Sequence, residues 1–320
     1  MTHVTHKEVM TPSPGSQARG WLWAVQGLVT LAVVALVARS IGRNWAEFRS
    51  LHAVLTIKPV WIAGSALAVS ASYAMHIESW RRILLGWGQR IAFGAAARTW
   101  SLANLGRYVP GKVWSVAGLV VLAQRAGVQM APAAASAFVS QALAVGTGAA
   151  VVAAVTPHAT SPLRLAAAGL AALATVGVLT WAPTARWLGR LASASAPLEP
   201  LRPTALVTSA TLTTLGWVTY GAAFWLLARG LIADRVVPFA VATGVFALGY
   251  ILGWLALFAP GGVGVRELVF VSLLTPWLGS GDALVVSLAS RVLLTAMEAA
   301  AAVVTLPLRH RPQGSTSERA

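Results

Sequence analysis

An apolar run long enough to enter a bilayer leaves a chain few ways to fold, because hydrocarbon offers no partner to a peptide group and the run must bond to itself as a helix. This sequence is built from such runs. They cover Trp21–Ala38, Pro59–Ile77, Phe93–Leu105, Val113–Ala123, Pro132–Val155, Leu163–Trp181, Thr204–Ala228, Pro238–Phe258, Val263–Trp277 and Ala283–Pro307. Only 10% of the 320 residues are charged and 57% are hydrophobic. A soluble chain of this size needs about a quarter of its residues charged to cover its surface. The expected class is therefore an all-α polytopic membrane protein, and a soluble enzyme is excluded.

The net charge of +15 belongs to the same picture. Lys and Arg stand at the ends of apolar runs, where they meet anionic headgroups and set topology. No basic stretch is long enough, or interleaved with aromatics, to form a nucleic-acid groove, so no nucleic-acid partner is expected. The chain has no cysteine, which removes disulfides, thiolate nucleophiles and cysteine-ligated metals. His76 and His158 are isolated and read as packing or loop residues. No metal, cofactor or catalytic constellation is expected, and the chain is not read as an enzyme. Residues 1–19 read as a disordered cytoplasmic tail, 20–308 as one transmembrane domain and 309–320 as a second cytoplasmic tail.

Two of the runs are too short to cross. Phe93–Leu105 and Val113–Ala123 are about half the length of a spanning helix and flank Gly106–Arg107–Tyr108–Val109–Pro110–Gly111. Ala259–Pro260–Gly261–Gly262 interrupts the second half in the same way. Placing Pro110–Gly111 on Pro260–Gly261 aligns Val113 with Val263 and gives an internal repeat offset by about 150 residues, with halves near 92–182 and 238–308. If both hairpins are re-entrant, about six segments cross and both termini lie on the Arg-rich, cytoplasmic side. Arg39, Arg43, Arg49 and Lys58 run against that count; either their loop lies on the interface or the first crossing is misassigned.

The breaks are where chemistry would sit, since backbone freed by Pro and Gly must be buried in protein or line a wet cavity. At the first break Arg107 and Lys112 flank a new helix start. This suits a phosphate, with Tyr108, Pro110, Gly111 and Trp114 beside it, although the same residues could form an interfacial loop with an aromatic belt. At the second, Pro260, Gly261, Gly262 and Gly264 precede Arg266 and Glu267. The glycine spacing fits no nucleotide loop. An ionisable pair in an apolar run is a functional candidate, or an ion pair that holds hairpins together. Arg291 and Glu298 share a helix face two turns apart, too far to bridge, so each needs another partner, and Glu267 for Arg291 or Arg266 for Glu298 would make an interior polar cluster. Glu78 has the spacing of a local helix pair with Arg81 and Arg82.

The segments Gly106–Trp114 and Pro260–Glu267 resemble the two signature motifs of the lysylphosphatidylglycerol synthase transmembrane region, a flippase-like family, and the resemblance runs from about Trp21 to Pro307. The soluble aminoacyl-transferase domain of its larger members has no counterpart here, so synthase activity is not implied. The resemblance implies a lipid translocase, or its accessory, in the bacterial inner membrane. Its cargo would be an anionic or aminoacylated phospholipid or a lipid-linked precursor, and a separate synthase or a homo-oligomer are the protein partners it allows. The alternative is a non-transporting scaffold for a lipid- or glycolipid-modifying enzyme.

Overall fold

The computed structural model describes residues 57–108, 113–155, 181–191, 198–232, 234–256 and 259–308, with a few positions between 166 and 179. The expected helix at Trp21–Ala38, both tails and most of Leu163–Trp181 lie outside the described residues. Among those described, the regular elements are helices and there is no β-strand.

Helix α1 (Pro59–Gly86) is followed by α2 (Phe93–Asn104), a 3-10 turn at Leu105–Tyr108, α3 (Val113–Arg125) and α4 (Met130–Val155). Then come α5 (Ala182–Leu191), α6 (Pro203–Leu231), α7 (Phe239–Leu255), a 3-10 turn at Pro260–Gly262, α8 (Val265–Leu278) and α9 (Ser280–Thr305). Both α1 and α6 open on proline, whose missing N–H costs nothing in a first turn. α5 is short, carries Arg186, Trp187 and Arg190, and leaves Trp187 53% exposed, a composition suited to the membrane interface.

Helices α1, α4 and α9 are long and apolar enough to cross a membrane. Their outward faces are apolar too: Val60, Leu67, Val292 and Val304 are each at least 70% exposed. In water such faces would aggregate; in lipid they are at home. The chain is an integral membrane protein. By contrast α2 and α3, at 12 and 13 residues, reach only about 20 Å, short of the roughly 30 Å hydrocarbon core.

Helix lengths repeat along the chain. The series of 28, 12, 13 and 26 residues in α1 to α4 returns as 29, 17, 14 and 26 in α6 to α9. Packing repeats with it: α7 lies on α4 as α2 lies on α9, while α1 and α6 form the most extensive pairing. Paired exchange of partners is what two units related by a two-fold axis produce.

The α1–α6 seam is made of small residues that let backbones approach and hydroxyls that bond across. Ser65 donates to the Ala223 carbonyl at 2.6 Å, Ser72 to that of Gly216 at 2.9 Å, and Ser79 and Ser209 each donate to the other's carbonyl at 3.0 Å. In lipid, where burial of apolar area gives no preference for another helix, such bonds and close contact hold helices together. Next to this seam an aromatic core joins α6, α7 and α8, with Tyr220 stacked on Phe246 at 5.0 Å and Phe224 against Phe270 at 4.8 Å between ring centres.

Candidate functional site

At the first break the two arms of the hairpin touch backbone to backbone. A Cβ on Gly106 would stand 2.7 Å from the amide nitrogen of Ser115, so only glycine lets α3 fold back there. Pro110, Gly111 and Lys112 lie outside the described residues. The turn projects Arg107 and Tyr108 onto α9. Arg107 Nη1 donates to Glu298 Oε1 at 2.7 Å, and the Tyr108 hydroxyl donates its one proton to Glu298 Oε2 at 2.6 Å and lies 3.2 Å from the Thr295 hydroxyl, from which it can accept. Arg107 also bonds Asn104 and reaches the Tyr250 hydroxyl at 3.4 Å.

The second break is built from left-handed backbone, with φ of 59°, 70° and 84° at Gly261, Gly262 and Gly264. L-residues avoid that region. Gly262 also lies against α7, where its Cβ would come within 3.0 Å of the Gly253 Cα. The break ends in a helix start that Glu267 caps, its Oε2 accepting the Gly264 N–H at 2.6 Å. Its other oxygen accepts Arg291 Nε at 2.5 Å, and Arg291 reaches back to the Gly261 carbonyl at 3.5 Å. Pro260 sits in the turn itself.

One face of α9 therefore holds both breaks, through Arg291 on one side and Thr295 and Glu298 on the other, at the i, i+4, i+7 spacing of a helix stripe. The turns meet directly: a Cβ on Gly261 would lie 3.6 Å from the Tyr108 ring.

The expected pair of Glu267 with Arg291 is present. That of Arg266 with Glu298 is not, because Arg107 and Tyr108 occupy both oxygens of Glu298. Glu267, next to Arg266 in sequence, points about 100° away and is committed to its cap and to Arg291. Arg266 is 8% exposed and lies between the rings of Phe246 and Phe270, 5.2 and 4.9 Å from their centres, with Ser290 accepting at 2.9 Å. Among the described residues it forms no ion pair with a carboxylate. Glu78, as expected from its spacing, pairs with Arg81 and Arg82 at 2.6 Å each.

Arg266 opens onto a cavity of about 140 Å³ where the breaks meet, walled also by Arg107, Gly261 and Gly262. The sequence pattern did not single out other parts of the wall as a site: Asn104 from α2, His76 from α1, Gln141 from α4, Trp217 from α6 and Tyr250 from α7. Gln141 in an apolar run was the available signal. His76 was read as packing or loop; its ring bonds the Ser72 carbonyl at 2.8 Å and faces the cavity. Asn104 Nδ2 is buried and bonds nothing among the described residues. Trp114 is 49% exposed and is not part of the wall. Glu267, Arg291 and Glu298 stand behind it as supports, and Gly264 as a helix cap. No group of His, Asp or Glu among the described residues could hold a metal ion.

Fold and site together define a polytopic membrane protein in which two helix breaks close on a polar, positively charged pocket. The chain belongs to the family of the lysylphosphatidylglycerol synthase TM region, whose model matches residues 23–302. The family is one associated with lipid handling. A comparison with curated proteins finds no match.

Proposed function

We propose that the protein moves a phosphate-bearing lipid between leaflets, with the headgroup passing through the cavity between the two breaks and the acyl chains remaining in the bilayer. The observation that carries this reading is Arg266. An ionised group at membrane depth costs about 2.5 to 3.5 kcal/mol on insertion scales, so a guanidinium kept there without a carboxylate calls for a partner that arrives from outside the chain. A lipid phosphate is such a partner, and a planar guanidinium grips it with two parallel hydrogen bonds. Arg107 and the free amide of Asn104 supply further donors on the same wall.

On this reading the two hairpins enter the inner membrane from opposite sides, the termini are cytoplasmic and the protein performs no covalent chemistry. Movement is downhill or coupled to an ion gradient, since no nucleotide loop is present in the sequence. A separate synthase would supply any modified lipid.

The test is translocation of headgroup-labelled phospholipids in proteoliposomes, scored by quenching of the outer-leaflet label. Arg266→Lys keeps the charge and loses the paired donors; its rate is expected to fall about tenfold with melting temperature unchanged. Parent protein that redistributes no lipid, yet still co-purifies with a lipid-modifying enzyme, would replace this reading with that of a scaffold.

A further inference from the structure

A second pocket, away from the central cavity, has no assigned role. It lies at the foot of the first hairpin, where α2, α3 and the end of α9 converge, and has a volume of about 110 Å³. Its walls are of two kinds. Arg98, Thr99 and Arg125 are polar; Leu102, Leu122 and Leu308 are aliphatic. Arg98 lies little more than a turn into α2, and Arg125 is the last residue of α3. Arg98 and Arg107 are nine residues apart on one continuous helical segment, about 13 Å, so the pockets stand at different depths.

Neither guanidinium forms an ion pair or hydrogen bond with any described residue, and the Nε of Arg98 is buried with its hydrogen bond unmade. Among the described residues no carboxylate lines the pocket. Two cations facing one small space repel each other, and a buried donor without an acceptor is unfavourable, unless an anion sits between them. The fork geometry of two guanidiniums suits the oxygens of one phosphate. The leucines decide its source. A free phosphate gains nothing from an aliphatic wall, whereas the glycerol and first methylenes of a phospholipid lose water against it.

We propose that this pocket binds the phosphate of an anionic phospholipid at headgroup depth, docking one lipid at the foot of the broken hairpin. The site is independent of whether the central cavity translocates, because it shares none of that cavity's walls.

The cysteine-free chain allows a local reporter. Val121 is 45% exposed on α3, one turn before Arg125. The full chain carrying Val121→Cys, labelled with an environment-sensitive fluorophore, is placed in phosphatidylcholine nanodiscs with rising fractions of phosphatidylglycerol. A saturable response is expected, and Arg98→Gln and Arg125→Gln should each raise the half-saturating fraction about tenfold. Arg98→Lys should fall between. Arg125 is exposed, so its substitution leaves the packing of α3 intact and keeps the test valid if an Arg98 variant folds poorly. An unchanged half-saturation in Arg125→Gln overturns the proposal. So does an equal response of a reporter at Val60, at the far end of α1, which would mean general attraction to a charged surface. An equal response to inorganic phosphate in pure phosphatidylcholine discs overturns the lipid assignment.

Discussion

Arg266 and Glu298 are both buried charges, and they should answer mutation in opposite ways. Glu298 is consumed inside the protein, by Arg107 and Tyr108. Removing it strands a guanidinium, and Glu298→Ala should lower stability by about 3 kcal/mol. Arg266 satisfies no carboxylate among the described residues, so Arg266→Met, which fills a similar volume and extends the contacts with Phe246 and Phe270, should leave stability level or raise it by about 1 kcal/mol while abolishing lipid movement. Thermal unfolding in detergent, read beside translocation, checks both. Sequence pattern reached the Arg291–Glu267 pair because both stood as rare charges in neighbouring apolar runs. It missed the partner of Glu298 because Arg107 lies 191 residues away and had already been given to the ligand. Arg98 and Arg125 were not read as a site, since nothing in a linear reading says that two arginines on different helices open onto one pocket.

The broken hairpins are the elements on which the site depends, and both rest on glycines whose missing Cβ admits another backbone. Gly106→Ala would drive a methyl group into the Ser115 amide and should cost about 2 kcal/mol or more, since backbone gives way less readily than a side chain. Gly262→Ala adds a left-handed conformation to a close contact with Gly253 and should be at least as severe. On the α1–α6 seam the outcome is milder: Ser79→Ala should cost about 0.6 kcal/mol, the scale of one interhelical hydrogen bond in a membrane. Equilibrium unfolding of the three variants orders them. These hairpins were legible from the sequence because proline, glycine and half-length apolar runs carry their own geometry. The central cavity was not, since its wall is drawn from seven helices and only their packing brings His76, Gln141 and Tyr250 to one surface.

For the molecule as a whole, the repeat of helix lengths and of packing partners makes a topological prediction. Phe93, 45% exposed at the foot of the first hairpin, and Val236, 55% exposed at the foot of the second, should lie on opposite sides of the membrane. Single cysteines at the two positions, challenged with an impermeant reagent in sealed vesicles, would be modified from opposite faces; labelling from the same face would rule out hairpins of opposed orientation. A further consequence comes from α9, whose single face fastens the first break through Glu298 and the second through Arg291. The breaks then share one mechanical coordinate. A rotation or slide of α9 that loosens one clasp must load the other, and a pocket at the junction cannot be open toward both leaflets without giving up both. In thermodynamic language, Arg291→Ala and Glu298→Ala, though without a common partner, should be non-additive by more than about 0.5 kcal/mol. The barrier against leakage would then be the stiffness of one helix.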